Sequence, residues 1–284
     1  MDIINLKNNC AIVVNSCDAY EDVWELFFRS LKHNWPECDL DIYLNTETKI
    51  YNFNGLKLNK INTNSVSNKT WGSRLLSVLN NIDKEYVITL FDDFVLEKHV
   101  NIEKIKTCIL EMQRDSSISV FYLSHSPGSN SDDKRFKDFE LMGQRNDYRL
   151  NSAPAIWRRK KIIQYTGSID NPWAWEFFGS ARTYYTNDKF YCSKINKEDV
   201  FVYNYNLGGA IRRGKWVASV VKPLLVKHDL NIDLEKRGIA SENLNEGKYS
   251  LKWKIDFFIL GFRMVGIKAF IFIFRVLKKK LLKK

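Results

Sequence analysis

Over its first 125 residues or so the chain alternates short apolar runs with longer stretches whose apolar residues recur at helical spacing. Ala11–Asn15 (AIVVN), Asp41–Leu44 (DIYL), Tyr86–Phe91 (YVITLF) and Ile118–Leu123 read as strands. Runs with no polar alternation are those covered on both faces. Between them, Tyr20–Lys32 sets Val23, Trp24, Phe27, Phe28 and Leu31 on one helical face, with Asp18 as N-cap. Trp71–Leu79 and Asn101–Gln113 read as two further helices. Strand–helix alternation of this kind predicts a parallel α/β sheet.

The pattern then loosens. Ser124–Tyr148, rich in Ser, Asp, Gly and charge, reads as a long loop. Leu150–Trp157 reads as a strand, Arg158–Tyr165 as a short helix, Lys189–Tyr205 as two strands and Val217–Lys227 as a helix. Without an internal repeat or a low-complexity linker, one α/β domain is expected over residues 1–247.

Charge sets the last 37 residues apart. Of 44 Lys and Arg and 33 Asp and Glu, 11 and one fall between Lys248 and Lys284, leaving 33 and 32 on the rest. A neutral body with a cationic tail argues against a nucleic-acid-binding domain, which spreads Lys and Arg over a face of the fold. At 100° per residue the charged stripe of the tail jumps between Arg263 and Lys268, beside Gly261 and Gly266, so two short amphipathic helices are expected. Their apolar faces hold Trp253, Phe257, Phe258, Phe262, Phe270, Phe272 and Phe274. Aromatic, Lys-rich amphipathic helices suit the surface of an anionic membrane. Packing on the body or an oligomer contact are the alternatives. Arg263, Lys268 and Arg275 interrupt any apolar run long enough to span a bilayer, and the N-terminus MDIINLKNNC lacks a signal-peptide pattern. The five cysteines are scattered, with neither CxxC nor Cys/His zinc spacing, so reduced thiols and no structural zinc are expected.

In an open parallel sheet, ligands bind at the carboxyl ends of the strands. Asn15, Ser16 and Asp18 follow the first strand, and Asp92 and Asp93 follow YVITLF. Two carboxylates after a buried strand suit a hard divalent cation and its phosphate ligands, or else cap the next turn. Together VVNSCDAYEDVWELFFRSLKHNWPECDLDIYLNTE, WGSRLLSVLNNIDKEYVITLFDDF and NPWAWEFFGS, in that order within roughly residues 11–216, resemble bacterial glycosyltransferases of capsule and lipopolysaccharide (O-antigen) biosynthesis. The resemblance implies a GT-A-like, Rossmann-type mixed sheet flanked by helices, with a nucleotide-binding half over about 1–125 and an acceptor-side half over about 126–247. The C-terminal amphipathic helices and the membrane-associating tail over 248–284 are expected from the charge and aromatic pattern above. Asp-Asp-Phe stands where such enzymes carry Asp-x-Asp, so use of Mg or Mn is an open point of the resemblance.

What the resemblance implies for chemistry is transfer of a sugar from a nucleotide-sugar donor to a lipid-linked, lipopolysaccharide or capsule glycan, at the inner face of the cytoplasmic membrane. Asn15, Ser16, Asp18, Trp71, Arg74, Asp92, His125, Arg212 and Lys215 are the donor-binding candidates. Asp92, Asp93 and His228 are the metal candidates. Asp93 and Glu176 are the catalytic ones, Glu176 as base of an inverting reaction because its apolar segment would raise its pKa. Trp173 and Trp175 are the acceptor-stacking candidates; the plainer reading puts both tryptophans in the core and pairs Glu176 with Arg182. Two other functions compete. A sugar nucleotidyltransferase expects a Gly-rich, basic loop after the first strand, where this chain has the acidic NSCDAYED. A membrane-bound scaffold with a degenerate transferase fold expects no turnover.

Overall fold

Every residue of the first apolar run is enclosed. After a single turn, α1 (Leu6–Asn9), strand β1 (Cys10–Asn15) sends Cys10, Ile12 and Val14 into one core layer and Ala11 and Val13 into the other. The computed structural model describes residues 5–59, 70–241, 250–272 and 274. Its strands continue with β2 (Asp41–Asn45), β3 (Lys57–Asn59), β4 (Tyr86–Phe91), β5 (Ile118–Tyr122), β6 (Ser131–Asp132), β7 (Phe139–Leu141), β8 (Ala155–Arg158) and β9 (Lys189–Ser193). These form one nine-stranded sheet in the order β3-β2-β1-β4-β8-β5-β9-β7-β6. Only β8 and β7 run against the others.

Helices cover both faces. On one side α2 (Glu21–Asn34) and α4 (Ile102–Arg114) bury Trp24, Phe27, Phe28 and Leu31, and Ile105, Cys108, Ile109 and Met112. On the other, α3 (Trp71–Asn80) and α5 (Arg159–Tyr165) bury Leu75, Val78, Leu79, Ile162 and Tyr165. The alternation predicted a parallel α/β sheet; the sheet is instead the mixed, helix-flanked kind that the resemblance implied, with two departures from the sequence reading. β8, inserted antiparallel between β4 and β5, opposes Ile156 to both Ile88 and Phe121. Of the two strands expected over Lys189–Tyr205 only β9 forms, and the expected loop at Ser124–Tyr148 contains β6 and β7, which lengthen the sheet edge.

The rest of the chain wraps the carboxyl edge and one flank. α6 (Pro172–Phe177) starts at Asn171, whose side chain accepts from the Ala174 N–H, with Pro172 in the first turn where a missing N–H costs nothing. A hairpin of β10 (Ile211–Arg212) and β11 (Lys215–Trp216) leads into α7 (Ala218–Lys227), which packs on Val23 and Leu26 of α2. α8 (Leu251–Val265) ends at Gly266, with φ 60°, and a further turn follows over Gly266–Lys268. The break falls where the charged stripe jumps. Part of the tail docks on the body: Phe257, Phe258 and Phe272 meet Phe178, which follows α6. The basic end Arg275–Lys284 lies outside the described residues.

The docking depends on one close approach. A Cβ on Gly261 would sit 2.5 Å from the Phe178 ring, closer than side chains allow without movement of the helix. Gly261→Leu is therefore expected to lift α8 off the body. Hydrogen exchange should quicken along Leu251–Val265 while β1 and β4 stay protected, whereas unchanged exchange in α8 would contradict this packing.

Candidate active site at the β1–β4 switch

The connection from β1 leaves towards β2, while β4 pairs on the other side of β1. At such a switch point the chains diverge at the carboxyl ends and open a crevice. Register fixes its floor: Asn15 lies opposite Phe91, the Asp92 N–H donates to the Asn15 carbonyl at 3.2 Å, and the Ser16 N–H to the Asn45 carbonyl at 3.1 Å. Above this floor is a cavity of about 340 Å³. It is lined by Asn15, Ser16, Cys17, Tyr20, Trp71, Arg74, Phe91, Asp92, Asp93, Phe94, Pro172 and Trp173.

Asp92 is buried and its carboxylate accepts from the Ser16 hydroxyl, which itself accepts from Trp24 Nε1 at 2.7 Å. Burial, and then the charge of Asp93, hold Asp92 well above the usual carboxylate range. Burial pushes Asp93 up to about 7. Among the described residues neither carboxylate has an ion-pair partner. A buried carboxylate beside a half-buried one, neither in an ion pair, is costly to ionise, and oxygen donors so placed fit a hard divalent cation. The loop above is tied to the same residue: the Ala210 N–H donates to the Asp93 carbonyl at 2.8 Å. Gly209, with φ 82°, comes so close that a Cβ would lie 2.7 Å from that carbonyl.

Arg74 is the buried cation of the cavity. Its guanidinium pairs with Glu47 at 2.7 Å and donates to the Ser16 carbonyl at 3.3 Å. Trp71 stands on the Asn15 side chain through Nε1 at 3.0 Å. Trp173, at 67% exposure, forms the rim. Glu176 is half-buried one turn further along α6, outside the cavity lining. Its Oε1 accepts from the Ser152 N–H at 2.6 Å, and burial raises its pKa above the ordinary value. Arg182 pairs with the enclosed Asp170 instead of Glu176.

So Asn15, Ser16, Trp71, Arg74, Asp92, Asp93 and Trp173 come together, with Glu176 beside them, and six candidates go elsewhere. Asp18 spends its carboxylate on the N–H groups of Glu47, Thr48 and Lys49 at 3.0–3.1 Å. Although burial raises it, these bonds and that from the Thr48 hydroxyl bring its pKa below the ordinary value. Trp175 is core: it is buried, meets Trp71 edge-on at 5.7 Å and donates to the Tyr165 carbonyl. The tryptophan spacing Trp173–Trp175 puts the two on different faces of α6, so only one reaches solvent. His228 packs edge-on against His33 at 5.3 Å, at the far end of α2 from Tyr20. A 14-residue helix of about 20 Å thus separates it from the carboxylate pair. Burial, and then His33, lower its pKa to about 4. His125 lies near Glu140 and Cys192 instead of in the cavity. Arg212 donates to the Ser241 carbonyl, and neither it nor Lys215 of the β10–β11 hairpin lines the cavity.

Cys17, Tyr20, Phe91, Phe94 and Pro172 line the cavity without having been candidates, and of these Tyr20 has the most perturbed environment. Burial and the charges of Asp92 and Asp93 push its hydroxyl up to about 12, and the Arg237 guanidinium lies over its ring at 4.5 Å. Its position in the turn after β1 was a signal; the partner from residue 237 was not.

The chain is similar to several solved structures. S. aureus TarS residues 1–349, in complex with UDP-GlcNAc, is 16% identical, covering 92% of this chain and 82% of that one, with a TM-score of 0.45. A galactosyltransferase, LgtC, with donor and acceptor sugar analogs is 12% identical over 54% and 59%, with a TM-score of 0.30. A CMP:2-keto-3-deoxy-manno-octonic acid synthetase complexed with CTP is 14% identical over 65% and 88%, with a TM-score of 0.36. No protein-family model matches the chain, and no curated protein does.

Asp93 gives a pH signature with a definite sign. Its folded pKa lies above its unfolded value, so between about pH 4 and 7 the native state binds the extra proton and stability falls as pH rises. In a chelator-treated sample, Asp93→Asn should raise the melting temperature at pH 8 and change it little at pH 5. An equal effect at both would show that Asp93 is not held protonated.

Proposed function

We propose that the protein is a nucleotide-sugar-dependent glycosyltransferase that acts on a lipid-linked, lipopolysaccharide or capsule glycan at the inner face of the cytoplasmic membrane. The observation that carries this reading is the Asp92–Asp93 pair, Asp92 buried, Asp93 half-buried and neither in an ion pair among the described residues, facing a cavity walled by Trp71, Phe91, Phe94 and Trp173 at the β1–β4 switch. A sugar diphosphate offers what such a site lacks: a phosphate-bound cation for the carboxylates and flat faces for the aromatic wall.

Asp92 and Asp93 are the residues that would hold Mg or Mn, which when bound neutralises a leaving diphosphate. Ser16 and Trp24 orient Asp92, and Glu47 fixes Arg74 at the base of the cavity, where its charge favours phosphate. Trp173 on the rim offers a stacking face to the acceptor sugar. Glu176 takes the proton of the acceptor hydroxyl as that oxygen bonds the anomeric carbon and the bond from this carbon to the diphosphate breaks, which inverts the centre. Its raised pKa suits a general base near neutral pH. The Ser152 N–H holds one carboxylate oxygen, and the Ser152 side chain also bonds the carboxylate, so Ser152 orients the base.

In this reading the boundaries are a transferase domain over 1–247, with its halves meeting near 125, and a membrane-associating tail over 248–284. The tail keeps an unpacked apolar row, with Leu251, Ile255, Ile259, Phe262 and Ile267 at 47–80% exposure, beside Lys252, Lys254, Arg263 and Lys268. No helix among the described residues is long and apolar enough to cross a membrane. A surface-lying helix suits this row. Because α8 packs on the back of α6, a membrane under the tail would lie near Trp173 and Glu176, where a lipid-linked acceptor must present its sugar.

A screen of nucleotide sugars with Mg²⁺ or Mn²⁺, reading released nucleoside diphosphate with a glycan acceptor, tests the class. Glu176→Gln should lower kcat by roughly 10²–10⁴ with the donor KM little changed. Full turnover in Glu176→Gln would remove it as base, and no turnover with any donor would favour the scaffold. Separately, Ile255→Asp with Ile259→Asp should abolish sedimentation with anionic vesicles, and wild-type binding should weaken in high salt; retention by the variant would refute the tail's role.

A further inference from the structure

Outside the carboxylate cavity, one other group of side chains has the chemistry of a ligand set. Glu140 of β7 and Cys192 of β9 are directly paired across an antiparallel ladder, so their side chains share one face. Tyr122, the last residue of β5, pairs with Cys192 on the other side, and the Ser193 N–H donates to the Ser124 carbonyl at 3.2 Å. That bond delivers His125 to the same spot. One ligand atom from each of His125, Glu140 and Cys192 lies within 4.8 Å of the others, and no other such trio of His, Cys, Asp or Glu occurs among the described residues.

The surroundings fit a cation. His125 Nδ1 is enclosed and has no hydrogen-bond partner among the described residues. The Asn130 amide nitrogen donates to the Ser126 carbonyl at 2.8 Å and to Glu140 at 3.2 Å, with the Cys192 sulfur at 3.5 Å. Its orientation is fixed because its oxygen accepts from Asn146 at 2.8 Å. An outer donor that steadies two ligands is a regular feature of metal centres. Nitrogen, sulfur and one carboxylate oxygen select zinc or a similar borderline ion over the hard Mg²⁺. Bond lengths of about 2.0–2.3 Å ask the three ligand atoms to close by roughly 1 Å, which side-chain rotation supplies. Burial pushes the Cys192 thiol up to about 11, so the free protein holds it protonated.

We propose that His125, Glu140 and Cys192 form a zinc site, with water in the fourth position, that fastens the loop leaving β5 to the β7–β9 pair. Cys192 binds as thiolate and its proton passes to solvent. The spacing 125, 140, 192 resembles no sequential zinc motif, because three strands of the sheet bring the ligands together.

The test uses the full chain, stripped with a chelator and titrated with Zn²⁺ or Co²⁺ alone. The expected result is about one equivalent bound, with a thiolate-to-cobalt charge-transfer band in the near ultraviolet. Zn²⁺ at 100 times its Kd should shift the folding equilibrium about 100-fold. The nearly isosteric Cys192→Ser should lose the band. The half-exposed Glu140→Gln should weaken binding by at least 10-fold. Asp92→Asn should still bind one equivalent, which separates this site from the carboxylate cavity. Substoichiometric binding, a cobalt spectrum without the thiolate band, or binding unchanged in Cys192→Ser and Glu140→Gln would overturn the proposal.

Discussion

The parallel pairing of β1 with β4 is the constraint on which the rest of the molecule rests. Both strands are covered on two faces, so their sequences are apolar but for Thr89 and the terminal Asn15, and their backbone groups must find partners in the ladder. Six consecutive residue pairs, Cys10–Tyr86 to Asn15–Phe91, meet that demand. The ladder ends where the side chains turn polar, and there it leaves Asn15, Ser16, Asp92 and Asp93 side by side at the open edge. The cavity is thus a consequence of two buried strands stopping at the same level while their connections part.

Around that edge the protein accepts an electrostatic cost. Burying Asp92 beside Asp93 disfavours ionisation of both, and the described residues supply hydrogen bonds from Ser16 but no paired cation. A structure selected for stability alone would place apolar side chains there. Arg74, the nearest buried cation, is instead committed to Glu47 and the Ser16 carbonyl. Uncompensated carboxylates beside an aromatic wall are what a cation-bound diphosphate and its sugar would complete. The adjoining α6 carries Trp173 on the cavity rim with Glu176 one turn further on and leans on the tail helix behind, so the proposed acceptor side and the proposed membrane contact share one element.

The first half of the fold was legible because its signals are local. β1, α2, β2, α3, β4, α4 and β5 each announce themselves by a buried run or by helical spacing, and Asp92–Asp93 stands out as charge directly after such a run. β8 was read as a strand, but its direction and its place between β4 and β5 depend on partners 30 to 70 residues away, which no local pattern encodes. The same limit governed the site. Trp71 and Arg74 lay on a recognisable helix beside the strand ends. Asp18, Trp175, His125 and His228 were of the right type, but what each side chain touches is decided by distant elements: the 47–49 turn, the core around Trp157, the β7–β9 pair and the end of α2. Tyr20 was passed over for the converse reason, since only the fold brings Arg237 onto its ring.

The account stands on the claim that Asp92 and Asp93 bind a diphosphate through a divalent cation. Calorimetric titration of uridine, cytidine and guanosine diphosphates into the full chain, with and without Mn²⁺, measures it directly. The account predicts binding of at least one nucleotide that needs Mn²⁺ and disappears in Asp92→Asn. Binding equally tight without Mn²⁺ and in the variant, or none under any condition, would contradict it.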